Sequence, residues 1–105
     1  MDIQLKRGLL EICVLAAIKE EPSYGYQIIK DISPFVEISE STLYPILRRL
    51  ESAGLLTVKS AAYNGRTRKY YHITKEGALR IEEFKAEWQE MHAIYRFVAE
   101  GGKTK

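Results

Sequence analysis

The dipeptide Asn64-Gly65 limits the folds open to this chain more than any other feature. A two-residue type I′ hairpin turn needs positive φ at both central positions, and Asn-Gly is the pair that tolerates it best. On either side lie two strand-like stretches, Leu55 to Ala62 and Thr67 to Ile73. A two-residue loop fixes their register. Leu56 then faces Ile73 and Val58 faces Tyr71 on one side of the ribbon. Lys59–Tyr70, Ala61–Arg68 and Tyr63–Arg66 fall on the other. One side is apolar and must be covered, while the other is basic and aromatic. A lone two-stranded ribbon is marginal in water, so the remaining chain has to supply the cover.

That cover reads as helical. Leu5, Leu9, Ile12 and Ala16 recur at helical spacing, with Leu10, Cys13 and Ala17 widening the stripe, which predicts a first helix broken at Pro22-Ser23. Ser23 is expected to cap a short second helix over Tyr24 to Ile32. Ser33-Pro34 stops it, because a residue before proline avoids the α region. A third helix starts within Ser39 to Thr42 and stops at Gly54, with Leu43, Ile46, Leu47 and Leu50 inward. Pro45 falls in its first turn if Ser41 is the cap and kinks it if the helix starts earlier. Beyond the hairpin, Thr74 caps a last helix from Lys75 to about Ala99, with Glu76 in its first turn. Its Ile81, Phe84, Trp88, Met91, Tyr95 and Val98 are spaced alternately three and four apart, which is a heptad seam.

At 105 residues the chain is expected to divide into a body over 1–74, a long last helix over 75–100 and a flexible tail over 101–105. The fold class is mainly α with a small β-hairpin. The single cysteine, Cys13, excludes an internal disulfide or a zinc cluster and reads as a buried thiol. A cytoplasmic location is expected, since nothing depends on oxidation. The longest apolar run, Ile12 to Ile18, is too short to cross a bilayer, and no secretory cleavage pattern follows Met1-Asp2. His72 and His92 have no partner at metal-ligand spacing, no glycine-rich phosphate loop follows a strand, and no nucleophile, base and orienter assemble. Neither an enzyme nor a cofactor or metal is expected.

The net charge of +2 conceals an uneven distribution. Residues 39–75 carry seven basic side chains (Arg48, Arg49, Lys59, Arg66, Arg68, Lys69, Lys75) against two acidic, Glu40 and Glu51. The segments on both sides are net acidic. A basic middle between acidic flanks suits a localised polyanion-binding face.

Three helices, a hairpin and a further helix, in that order, make a winged helix-turn-helix. With the four apolar residues of the third helix inward, Ser41, Pro45, Arg48 and Ser52 face outward, and Thr42, Tyr44 and Arg49 lie on the flanks. Hydroxyls on such a face can bond phosphates, and arginine can read guanine O6 and N7 bidentately. In the hairpin, Arg66, Arg68 and Lys69 surround the Asn64-Gly65 turn among Tyr63, Tyr70 and Tyr71, a thin basic tip suited to a minor groove or its phosphates.

Several motifs then carry a resemblance. They are Tyr24-Gly25-Tyr26, the run Ser41-Thr42-Leu43-Tyr44-Pro45-Ile46-Leu47, the run Leu50-Glu51-Ser52-Ala53-Gly54-Leu55, and Arg66-Thr67-Arg68-Lys69-Tyr70-Tyr71-His72-Ile73-Thr74-Lys75-Glu76-Gly77. Spanning residues 24–77 in this order, they resemble the PadR family of winged-helix transcriptional regulators, in its short subfamily. The resemblance implies a homodimer that binds an inverted-repeat operator in double-stranded DNA and usually represses. It implies that Ser41, Thr42, Tyr44 and the wing arginines Arg66 and Arg68 lie at the DNA; taken with the helix face and hairpin tip above, the expected contacts are Tyr24, Ser41, Thr42, Tyr44, Pro45, Arg48, Arg49, Asn64, Gly65, Arg66, Arg68 and Lys69. The wing is very short beside the family's pattern, which shortens its reach into a groove.

The seam supports a dimer independently, because a helix ending in exposed Trp88, Met91 and Tyr95 would be a large apolar patch on a monomer. Leu5, Leu9, Ile81, Phe84, Trp88, Met91, Tyr95 and Val98 are the expected interface. Trp88 has two readings: packing between subunits, or stacking on a small aromatic or cationic effector. The alternative to a DNA-binding regulator is a winged-helix protein-interaction module that never meets DNA.

Overall fold

The computed structural model of the chain describes residues 1–102. Four helices and one antiparallel hairpin follow in the order α1 (Ile3–Ala17), α2 (Gly25–Ile32), α3 (Glu40–Ser52), β1 (Leu56–Tyr63), β2 (Arg66–Ile73) and α4 (Lys75–Ala99). Residues 103–105 of the expected tail lie outside the described residues.

The hairpin register is the one dictated by the turn, with Leu56 opposite Ile73, Val58 opposite Tyr71 and Tyr63 opposite Arg66. Asn64 and Gly65 take φ of +48° and +75°, as the turn requires. Leu56 and Tyr71 are buried, and Val58 and Ile73 pack beside them against the helical core.

The ends of α3 explain its length. Ser39 holds the first turn, its carbonyl accepting from Leu43 N at 2.9 Å. Pro45 therefore lies inside the helix and removes the bond to the Ser41 carbonyl, yet the helix runs through it. Four fully buried side chains hold it down: Leu43, Ile46, Leu47 and Leu50. At roughly 1.5–3 kcal/mol each, they outweigh the roughly 3 kcal/mol that an interior proline costs. At the other end Gly54 adopts φ +78°. Leu55 N donates to Leu50 O at 2.9 Å and Gly54 N to Glu51 O at 3.0 Å, the paired bonds of a Schellman stop.

Two local expectations are corrected. Ser23 does not cap α2: Tyr24 occupies the cap position, without a side-chain bond. Ser23 instead pairs in extended conformation with β2, its N–H donating to Tyr71 O at 3.2 Å and accepting Tyr71 N–H at its own carbonyl at 2.7 Å. Two backbone bonds outweigh one side-chain cap, and they leave the Ser23 hydroxyl buried without a partner. The inward face of α1 also differs. Leu10, Val14, Leu15 and Ile18 enter the core, while Leu5 is 51% exposed and Ala16 faces out. The second half of α1 is apolar on every side, so spacing alone does not say which stripe meets the body. Cys13 is half-buried against the core, and burial raises its thiol pKa.

The hairpin and α4 are joined by a tight junction. Thr74 N donates to Leu55 O at 3.1 Å, Thr74 Oγ1 donates to Gly54 O at 2.7 Å, and the same hydroxyl accepts Gly77 N at 3.1 Å. One residue thus caps α4 and ties it to the end of α3. Gly77 is buried in this junction, where a side chain would strike the Leu55 carbonyl oxygen. Ile81 belongs to the hydrophobic core. Past it, α4 leaves the body, and the molecule extends over 65 × 26 × 21 Å. Gly101 and Gly102, both at φ +83°, close α4 by bonds to Val98 O and Phe97 O. Among the described residues no helix is long and apolar enough to cross a membrane.

Candidate nucleic-acid interface

Because its four leucine and isoleucine residues anchor α3 from below, Ser41, Thr42, Tyr44, Pro45, Arg48 and Arg49 are all exposed along its outer surface. The helix forms a ridge with a groove on each side. On the hairpin side a groove of about 980 Å³ is lined by Tyr24, Tyr44, Tyr63, Asn64, Arg66 and Lys69, among others. Of the sequence-predicted residues, this groove brings together Tyr24, Tyr44, Asn64, Arg66, Arg68 and Lys69, while Ser41, Thr42, Pro45, Arg48 and Arg49 lie outside it. Tyr44 reaches this groove by lying over Gly25: a Cβ there would stand 2.5 Å from the Tyr44 hydroxyl. A smaller recess between helix and wing holds Tyr44, Arg48, Glu51, Lys69 and Tyr71. Burial raises the Tyr71 phenol, Tyr44 and Glu51 add to the rise, and Arg48 opposes it.

Arg68 behaves differently from the other wing cations. Its guanidinium carbon lies 3.8 Å from the centroid of Tyr24 and 3.5 Å from that of Tyr63. Nη1 is 3.4 Å from the Tyr70 hydroxyl, and Tyr24 meets Tyr70 edge to face at 5.8 Å. The side chain is therefore stacked between α2 and the wing tip, and its two flat faces are already covered. Arg66 and Lys69 are exposed with no ion-pair partner among the described residues. The Arg68–Tyr63 contact was legible in the register, since Tyr63 opposes Arg66 and so lies diagonal to Arg68 on one face. The part of Tyr24 was not, because only the Ser23–Tyr71 bridge brings α2 there.

On the opposite flank of α3, Arg49 makes an ion pair with Glu11 of α1 through Nε. It lines a second groove, about 500 Å³, with Lys6, Arg7, Glu37, Ser39, Thr42 and Pro45 among others. Arg49 is thus held on the side away from the wing. The hydroxyls of Ser39, Ser41 and Thr42 cluster at the start of α3, with Ser39 Oγ 3.0 Å from Ser41 Oγ and 3.2 Å from Thr42 Oγ1.

The expected interface residues of α4 divide. Ile81 is consumed by the core of its own protomer, which removes it from the seam, because the first two turns of α4 lie against the body. Phe84 is half-buried and stacks on Trp88 with centroids 6.3 Å apart. Trp88 is 50%, Met91 44%, Tyr95 65% and Val98 69% exposed, with Ile94 and Phe97 exposed beside them. Leu5 and the half-buried Leu9 lie outside the core on α1.

A helix-turn-helix followed by a basic β-wing defines the class: a winged-helix DNA-binding transcription regulator. Comparison with known proteins then places the chain within it. Residues 14–83 match the Transcriptional regulator PadR-like family, and the chain belongs to that family. Its members are transcription regulators rather than enzymes. The fold is similar to the crystal structure of a PadR family transcriptional regulator from Eggerthella lenta, at 36% identity and a TM-score of 0.83, covering 94% of this chain and 88% of that one. It is also similar to smu.1704 from Streptococcus mutans, at 38% identity and a TM-score of 0.79, covering 92% of both chains. In sequence it is 35% identical over 100 residues to Uncharacterized protein X of Lysinibacillus sphaericus, covering 90% of this chain and 92% of that protein.

Proposed function

We propose that the chain is a homodimeric repressor of an inverted-repeat operator. Residues 1–74 serve as the DNA-contacting body and 75–100 as the pairing helix. The observation that carries this reading is the separation of two unlike surfaces: a basic, hydroxyl-rich ridge and wing at one end, and an uncovered row of Trp88, Met91, Tyr95 and Val98 at the other. Exposed apolar rows of this size mark association surfaces. Two-fold pairing of α4, with Leu5 and Leu9 of α1 contributing, would present two copies of α3 about one DNA turn, roughly 34–36 Å, apart. Arg48 is the base reader, at the middle of the exposed ridge. Ser41, Thr42, Tyr44, Tyr24, Arg66 and Lys69 hold phosphate, and the backbone at Asn64-Gly65 lets the tip approach the minor groove.

The Phe84–Trp88 stack at the root of the seam is also where an aromatic or cationic effector would intercalate between subunits and change their spacing. Working on DNA, the protein would act in the cytoplasm. The deciding experiment pairs sedimentation of the pure protein with a mobility shift on the duplex upstream of its own gene. A stable dimer that retards this duplex in preference to scrambled DNA, with salt-sensitive affinity, is expected. A monomer, or binding that ignores salt, refutes the reading in favour of a protein-interaction module.

A further inference from the structure

The groove on the far side of α3 enters the reading above only through Thr42, and its position gives its α1 wall a part as well. An α-helix lying in a major groove about 12 Å wide runs between two sugar-phosphate strands. One of these falls to the hairpin-side groove. The other must meet whatever stands on the opposite flank of α3.

That flank is the groove between Thr42, Pro45 and Arg49 on α3 and Ile3, Lys6 and Arg7 on α1. Thr42, Pro45 and Arg49 stand at i, i+3 and i+7, one continuous edge of the helix. Ile3, Lys6 and Leu10 make the matching edge of α1. This edge is separate from the Leu5–Leu9 edge, so pairing through the latter leaves Lys6 and Arg7 uncovered. Arg7 is exposed and Lys6 half-exposed, and neither has an ion-pair partner among the described residues. Arg49 is balanced by Glu11, and Glu37 is the one carboxylate lining the groove, so Lys6 and Arg7 leave it net positive. The Ser39 and Thr42 hydroxyls that line it add neutral donors.

We propose that Lys6 and Arg7 of α1 bind the second phosphodiester strand, so that α3 is clamped between two backbone contacts rather than leaning on the wing alone. This rests on α3 entering the major groove. Each phosphate neutralised by a basic side chain releases counterions and adds about 0.9 to the slope of log K against log salt. Lys6 and Arg7 read no base edge, so their effect is independent of sequence.

The test compares Lys6→Gln/Arg7→Gln with Arg66→Gln/Lys69→Gln in the full-length protein, by fluorescence anisotropy on a short duplex across a potassium chloride series. Sedimentation first checks that each variant keeps the wild-type assembly state. The expected result is a slope shallower by about 1–2 for both variants, with equal losses on the upstream duplex and on scrambled DNA. Ethylation interference is expected to show phosphates on both strands for wild type, and to lose those on one strand for the α1 variant. A shallower slope for the wing variant with an unchanged slope and footprint for the α1 variant overturns the clamp and leaves the DNA-binding reading standing. No salt-dependent binding by the wild type removes both. A loss confined to the upstream duplex would make Lys6 and Arg7 base readers and also overturn the proposal.

Discussion

Gly77→Ala tests the joint between α3, the hairpin and α4. A Cβ at this position would meet the Leu55 carbonyl oxygen far inside contact distance, and Ile73 Cγ1 at 2.7 Å. The first of these is backbone and cannot swing aside. Overpacking of this kind costs about 1–3 kcal/mol. Moving Leu55 O also loosens its bond from Thr74 N, and with it the tie from Thr74 to Gly54 O, adding about 0.5–1.5 kcal/mol. Against this, alanine is favoured over glycine inside a helix by about 1 kcal/mol. The balance is a loss of about 2 kcal/mol, read by urea unfolding at fixed protein concentration, since a dimer's midpoint shifts with concentration. Gly8→Ala is the comparison. Nothing lies within 4 Å of its Cβ position in the protomer, so it should gain about 1 kcal/mol. If Gly77→Ala is as stable as wild type, α4 is not locked to the end of α3 and the junction has been misjudged. If Gly8→Ala loses stability, a partner's backbone packs against that face of α1.

Further outcomes are expected at other sites. Ser23→Ala removes a buried hydroxyl that has no partner, and should stabilise by about 1 kcal/mol, measured by thermal melting. Arg48→Ala should cost about 1–3 kcal/mol of binding to the operator and little on unrelated DNA, by anisotropy; equal losses on both would make it a phosphate contact. Arg68→Lys keeps the charge but not the flat stack between Tyr24 and Tyr63, so it should weaken DNA binding without changing the salt slope; a slope change would place Arg68 on a phosphate. Tyr71 holds its proton more tightly folded than unfolded. Its contribution to stability is therefore complete below the ordinary phenol range, about pH 10, and is lost as pH rises through the folded value. Tyr71→Phe should flatten that alkaline decline in unfolding experiments.

Much of this was legible because short-range rules decide it. The Asn64-Gly65 turn admits one register, and once Leu56 faces Ile73 every other pair follows. The exposed edge of α3 follows from four apolar residues at helical spacing. What the sequence hid depends on contacts between distant segments. Ser23 looks like a cap until β2 arrives to pair with it. Arg49 shows no partner in the sequence, and its ion pair with Glu11, thirty-eight residues away, exists only once α1 and α3 pack together. Ile81 fits the heptad seam as well as Trp88 does, and only the body packed against the first turns of α4 separates core from interface. Lys6 and Arg7 gave no signal, because two adjacent cations on a helix acquire meaning only when α3 lies alongside.

The Thr74 junction makes the two ends of the molecule share a rotational phase. Each residue added to a helix turns everything beyond it by about 100° and advances it about 1.5 Å. With α4 tied at its first turn to Gly54 and Leu55, its exposed apolar face has a fixed azimuth relative to the outer edge of α3. One alanine inserted between Ile81 and Phe84 would leave both ends intact but turn each reading edge of the proposed dimer by about 100° away from its half-site. Seven inserted residues would nearly restore the aim while lengthening the arm. In the proposed dimer, the stretch between the junction and Trp88 is thus a gear whose tooth count would decide which spacing of half-sites the protein can grip.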